Sequence, residues 1–233
     1  MSAEQQTVTE LIYFHVKESV RPEDPAHSDE GAALLQVFQN TKYQAGYKGS
    51  SWGRAVEDES LIVWAIDWAD AHAGANPNTT LTPFLPPDTQ TITTVFGTLT
   101  PSPLTSTATF TKNPVTELFA PAFPTSLSPE EVTQVHDDLI GLRAAMTEGL
   151  PEGQRALSFS MGQVERPGTM THEQSETGEA FVVVVAAGWE SVEAHKAGKE
   201  TEGFQAAIQR VRGRMLAPVQ GLALRHVAFK GVE

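Results

Sequence analysis

The chain has 233 residues, with 16 Lys and Arg against 29 Asp and Glu, a formal net charge of −13, and no cysteine. An acidic balance of this size argues against nucleic-acid binding, which needs a basic footprint, and against docking on an anionic membrane surface. The missing cysteines exclude disulfides, thiolate metal sites, iron–sulfur clusters and thiol nucleophiles. Met1 to Thr7 is short and polar, without the basic flank and apolar stretch of a secretory leader. The longest apolar run, Ala180 to Gly188, is too short for a transmembrane helix of about 20 residues. The expectation is a soluble, cytoplasmic protein.

In chain order, Thr7 to Lys17 is rich in β-branched and aromatic residues and reads as a strand. Ser28 is placed to cap a helix running to about Ala45, with Gly46 as its stop. Strands follow at about 49–57 and 61–68, with Glu57-Asp58-Glu59-Ser60 as the turn between them, and a last strand fits 91–99. Asn76-Pro77-Asn78 and Pro83, Pro86 and Pro87 break any helix in the intervening segment. The stretch 101–113, rich in Ser, Thr and Pro, reads as a linker. After it come a strand at 116–123, a helix opened by Ser128-Pro129-Glu130-Glu131, strands at 156–163 and 179–188, a helical stretch over 191–216 broken near 198–203, and a closing strand at 222–229. The segment from Arg166 to Gly178 between the central strands reads as a polar excursion.

The chain also echoes itself. Val8-Thr9-Glu10-Leu11 recurs as Val115-Thr116-Glu117-Leu118. Ser51-Trp52-Gly53-Arg54 corresponds to Ser160-Met161-Gly162-Gln163. An apolar strand ending in Trp68 corresponds to one ending in Trp189, and an Ala-His segment follows each, at His72 and His195. Three echoes in one order point to two βαββαβ repeats, at 1–100 and 114–233, joined by 101–113. The expected class is α+β, with two ferredoxin-like repeats.

The stretch Gly188-Trp189-Glu190-Ser191-Val192-Glu193-Ala194-His195 resembles one found in dimeric α+β barrel proteins, a superfamily that includes antibiotic-biosynthesis monooxygenases, stress-responsive A/B barrel proteins and polyketide cyclases. The resemblance implies two four-stranded sheets packed face to face, here within one chain, with helices outside and an apolar pocket between each sheet and its helices. It implies chemistry without a metal or bound cofactor, on an aromatic or polyketide-like small molecule. Alternation then places Ile12, Phe14 and Val16 towards the helix-side pocket, and Tyr13 and His15 towards the barrel interior. In the second half Phe119, Pro121 and Phe123 share one face, and Ala120 and Ala122 the other.

Under that resemblance His195 is the first candidate base, because an imidazole titrates near working pH. The plainer alternative is a helix-start histidine that only packs. His136 lies at the edge of the apolar stripe Val132, Val135 and Leu139. Polyketide-cyclase relatives carry their histidine just before the position of Phe204, where this chain has Thr201-Glu202-Gly203, so Glu202 is the third candidate and aldol cyclase chemistry does not carry over directly. Phe119, Phe123, Trp189, Phe204, Phe14, Trp52 and Trp64 are candidate walls for a flat substrate, with core packing as the alternative use, and Arg54 is placed to hold a carboxylate or enolate oxygen. His15, inside a strand, needs a partner, sought across the barrel at Arg225 and His226. No histidine pair has the spacing of a helical metal site, so no metal is expected.

The leading expectation is a cofactor-independent enzyme performing a cyclisation, isomerisation or oxygenation on an apolar substrate. The alternatives are a non-catalytic tandem barrel that binds a ligand or protein in stress tolerance, and a haem-handling oxygenase with His195 or His136 as axial ligand. A cavity of roughly 300 Å³ or more with a histidine at its wall separates the first from the second.

Overall fold

The computed structural model describes residues 7–70, 72–88, 91–106 and 109–233. Its central strands are apolar on both faces, so each must be covered twice. On β1 (Val8–His15), Leu11 and Tyr13 join one buried cluster, while Ile12, Phe14 and the following Val16 join another. The remaining elements of the first half are α1 (Asp29–Thr41), β2 (Tyr47–Arg54), β3 (Leu61–Trp68), the short α2 (Pro77–Thr80) and β4 (Ile92–Gly97). The second half contributes α3 (Thr109–Lys112), β5 (Val115–Phe119), β6 (Ala122–Pro124), α4 (Pro129–Ala144), β7 (Ser158–Arg166), β8 (Met170–Thr171), β9 (Glu179–Trp189), α5 (Val192–Lys199), α6 (Glu202–Arg212), β10 (Arg225–Val227) and β11 (Lys230–Gly231).

All the strands pair antiparallel, in the spatial order β10-β5-β9-β7-β4-β1-β3-β2-β11. The first half reads β4-β1-β3-β2 and the second β10-β5-β9-β7, with β4 and β7 as the seam. The sheet curls until its two ends meet. There Ala55 bridges Val227, the Val56 N–H donates to the His226 carbonyl at 2.8 Å, and β11 pairs with Trp52 and Ser51 of β2.

Three apolar clusters follow from this curl. The inner one takes Leu11, Tyr13, Val63, Leu118, Val184 and Val227 from the inward faces of both halves. One outer cluster packs α1, through Leu34 and Phe38, on Trp52, Trp64 and Phe14. The other packs α4 and α6, through Leu139, Leu142, Phe204 and Ile208, on Phe123, Val185 and Trp189. Ser28 caps α1 by accepting from Gly31 N–H, and Ser128 with Glu131 forms a reciprocal capping box on α4, as the sequence pattern requires. The helical stretch after Trp189 breaks into α5 and α6 because Thr201 caps a new start. No described helix is long and apolar enough to cross a membrane.

Three segments differ from expectation. The strand expected over 116–123 is interrupted at Ala120-Pro121 into β5 and β6, both still paired with β9, because Pro121 has no N–H to give the ladder. Within the stretch read as a linker, Phe110 is buried and stacks on Phe229 with centroids 4.4 Å apart. The polar excursion after Arg166 carries β8, paired with β9, and buries His172, whose Nε2 donates to the Ala217 carbonyl at 2.8 Å.

The seam tolerates no side chain at Gly162, where an added Cβ would stand 2.1 Å from the Thr98 carbonyl oxygen. Backbone cannot step aside as a flexible side chain can. Gly162→Ala is therefore expected to cost at least about 2 kcal/mol in denaturant unfolding; a loss under about 0.5 kcal/mol, the range of neutral surface changes, would mean the seam is looser than described.

Candidate active site

The site is built on a buried glutamate that alternation alone would place in the core. Glu117 shares a face of β5 with Val115 and Phe119, and is 5% exposed. A carboxyl there must find partners. Trp189, at the end of the adjacent β9, donates its indole N–H to Glu117 Oε2 at 3.1 Å. His195, one turn into α5, stacks on the Trp189 ring at 4.6 Å and is 1% exposed. Its Nε2 lies 3.3 Å from Glu117 Oε2 but out of hydrogen-bonding alignment, and makes no hydrogen bond.

The other face of His195 leads out of the second half. Its Nδ1 is 2.7 Å from Nε2 of His226 on β10. His226 Nδ1 in turn contacts Glu57 Oε1, and its backbone N–H donates to Glu57 Oε2 at 3.0 Å. Glu57 belongs to the turn between β2 and β3 of the first half, so the line Glu57–His226–His195–Glu117 exists only because the ends of the sheet meet. One set of tautomers satisfies each of these contacts. An ionised Glu57 only accepts, so His226 Nδ1 carries hydrogen; in neutral His226 the Nε2 then accepts, and His195 donates through Nδ1. His195 Nε2 is left with its lone pair free.

Electrostatics hold this arrangement. Burial pushes Glu117 up to about 7, against the pull of the Trp189 N–H and of Lys199. Burial also brings His195 down to about 3, with His226 and Lys199 adding in the same direction. Burial works against ionisation of Glu57, but the hydrogen bonds from the His226 backbone and ring bring it below its ordinary value. The resting site thus holds a neutral imidazole beside a carboxyl poised near neutrality.

His195 and Glu117 line a cavity with Phe119, Leu142, Val185, Phe204 and Ile208 as apolar walls, and with Met146, Lys199, Arg212 and Met215 as unbranched or flexible side chains around it. The enclosed part is about 60 Å³, within a recess of about 460 Å³ counted out to solvent. The enclosed volume is below the 300 Å³ threshold set from the sequence, although the histidine is at the wall.

The other expected residues scatter. Trp189 supports the site from behind, and Phe119 and Phe204 line it. Phe123 is fully buried against Phe181. His136 is half-buried on α4 and does not line the cavity; Glu202 is exposed at the start of α6. Phe14, Trp52 and Trp64 are packed in the first-half core, with Phe38 4.6 Å from Trp64 and 5.8 Å from Trp52. Arg54 is taken by Glu23, at 2.8 and 3.0 Å, and by the Val20 carbonyl. His15 pairs with Ser60 at 2.8 Å, on the turn beside its own strand, rather than across the barrel. His72 is exposed beside Asp70. Haem does not fit the residues present: His136 does not face the cavity, and His195 faces Glu117 in an enclosed space too small for a porphyrin slot.

Sequence reasoning missed Glu117, Glu57 and His226 as site residues. The signal for Glu117 was available, since a glutamate stands on the apolar face of a strand in both copies of Val-Thr-Glu-Leu.

The two perturbed groups pull stability in opposite directions. Glu117, raised from 4.5 to about 7, contributes stability that is lost as pH rises through that window. His195, lowered from 6.5 to about 3, contributes stability that is lost as pH falls through its own window. Between about pH 4.5 and 6.5 the two slopes oppose. Glu117→Gln is expected to give a protein that gains stability as pH rises there, and His195→Asn one that loses it, read by urea unfolding at a series of pH values. Parallel profiles for both variants would contradict the assignment.

No known protein family and no curated protein matches the chain. Solved structures do. One is an anthrone oxidase-like protein, 16% identical, with a TM-score of 0.54, covering 100% of this chain and 96% of its own. A second, from Fusobacterium nucleatum and provisionally assigned as a monooxygenase, is 8% identical, with a TM-score of 0.54 and coverage of 99% and 94%. A third, provisionally assigned as a chlorite dismutase, is 10% identical, with a TM-score of 0.56 and coverage of 98% and 96%. At these identities the likeness is one of fold alone, an α+β barrel.

Proposed function

We propose that the protein is a cofactor-independent oxygenase that removes a proton from an activated carbon of an aromatic, polyketide-type substrate, with His195 Nε2 as the base. The observation that carries this reading is the buried His195 Nε2, which has no hydrogen-bond partner among the described residues and stands at the wall of an apolar cavity, on an imidazole whose burial disfavours charge. The spatial order shared by the two groups of four strands supports reading 1–100 and 114–233 as duplicated ferredoxin-like units joined by 101–113. On that reading the second unit holds the reaction and the first supplies Glu57.

The geometry suits proton abstraction for a physical reason. Charging a buried imidazole is costly. As Nε2 takes the substrate proton, the Nδ1 hydrogen passes to His226 Nε2, and the positive charge comes to rest beside the Glu57 carboxylate, which is part-exposed. His195 thus returns to neutrality within the relay. Glu117, 3.3 Å from Nε2, offsets the charge while it lasts. The apolar walls exclude water from the carbanion, and Lys199 and Arg212 give the recess a positive flank for its delocalised oxygen. The enclosed space admits the reacting edge of a flat molecule when the Met146, Met215 and Lys199 side chains turn aside.

Anthrone is the apt probe, because its methylene is acidified by two flanking rings. Its carbanion adds dioxygen, and the resulting hydroperoxide loses water, so that CH₂ and O₂ give C=O and H₂O with no other reductant. The protein is expected to accelerate anthrone-dependent oxygen uptake at neutral pH, and His195→Gln to reduce that rate at least about 100-fold. Uptake no faster than in buffer, or undiminished in His195→Gln, would reject the reading.

A further inference from the structure

Glu10 and Glu117 occupy the same place in identical Val-Thr-Glu-Leu stretches. Each accepts the indole N–H of the tryptophan that ends the neighbouring strand, Trp68 at 2.8 Å and Trp189 at 3.1 Å. Beyond that they differ. Glu117 faces an imidazole, stacked on its tryptophan. Glu10 faces none. The histidine that follows Trp68, His72, has a side chain 95% exposed and turned to Asp70. A backbone N–H, from Ala75 at 3.0 Å, is the second donor to Glu10 Oε2. Among the described residues Glu10 Oε1 has no hydrogen-bond partner, in a residue that is 0% exposed. A buried carboxyl oxygen left without a donor is costly and calls for an explanation.

Glu10 lines a cleft of about 500 Å³. The Pro- and Asn-containing segment with α2 runs here where the second half has α5 and α6. Asn78, Thr79 and Thr94 give the cleft hydrogen-bonding walls. Arg166, reaching over from β7, lies flat on the Phe96 ring at 3.4 Å and donates to the Ala73 carbonyl at 2.7 Å.

We infer that this cleft is a second binding site, which takes a small nitrogen base whose N–H donates to Glu10 Oε1. The donors that Glu10 already accepts on Oε2, the Trp68 indole N–H and the Ala75 backbone N–H, show the chemistry that the unpartnered oxygen asks for. Arg166 narrows the class. A permanent cation such as a guanidinium is repelled by it, whereas a base that arrives neutral and shares one proton with Glu10 is not. Glu10 suits that exchange, because burial holds its carboxyl above the ordinary value despite the Ala75 and Trp68 hydrogen bonds and the nearby Arg166. Imidazole is the simplest member of the class. The site is independent of the oxygenase reading.

The test is an imidazole titration of the full chain, followed in ¹H–¹⁵N spectra. Saturable shifts are expected at Ala75, Asn78 and Thr79, and unchanged in His195→Gln. Glu10→Gln is expected to weaken binding about tenfold or more, since a neutral amide cannot take up the shared proton. Thr79→Trp, on the exposed rim, is expected to block the cleft without touching the core, and decides the matter if Glu10→Gln does not fold. No saturable binding by the wild-type chain, or wild-type affinity in Thr79→Trp, would overturn the inference, as would wild-type affinity in a folded Glu10→Gln.

Discussion

A carboxyl group held in the middle of an apolar strand is the constraint from which the rest of this site follows. Glu117 cannot stay in the core unpaired, so the strand beside it ends in a tryptophan whose indole N–H reaches back. That tryptophan then offers its face to the first helix beyond, and the ring that stacks on it is a histidine. Because both groups are buried, neither takes its ordinary protonation: the acid is pushed up and the base down. A neutral base is thereby kept available in an apolar setting.

The curl of the sheet adds what neither half supplies alone. Glu57 and His226 are 169 residues apart in sequence and meet where the first and last strands close the curl. Their contact extends the line of polar groups from His195 to a part-exposed carboxylate. The two halves differ around the same Trp–Glu pair. One covers its glutamate with α5 and α6 and an imidazole; the other leaves its glutamate at a polar cleft under Arg166. The first-half aromatics Phe14, Trp52 and Trp64 are spent on packing α1.

Much of the strand and helix order was legible because periodicity and capping are local. Ser128-Pro129-Glu130-Glu131 starts α4 as its residues require, and alternation correctly sorts Ile12 and Phe14 from Leu11 and Tyr13. His195 was legible through its place after Trp189. Glu117 was in view only as part of a repeated tetrapeptide, although alternation puts it on the same face as Val115 and Phe119. Long-range pairing was out of reach. Nothing near Arg54 in sequence shows that Glu23 binds it from both oxygens, and nothing near His226 announces Glu57. The break at Pro121 was a local signal, overridden by the apolar run around it.

The central claim is that His195 rests neutral, with hydrogen on Nδ1 and a free lone pair on Nε2. Side-chain ¹⁵N shifts of the histidines, followed from neutral to mildly acidic pH, read this directly. The account predicts one bare and one protonated nitrogen for His195 throughout, with the protonated one coupled to His226. Two protonated nitrogens at neutral pH would mean that His195 is an imidazolium paired with an ionised Glu117, and would contradict it.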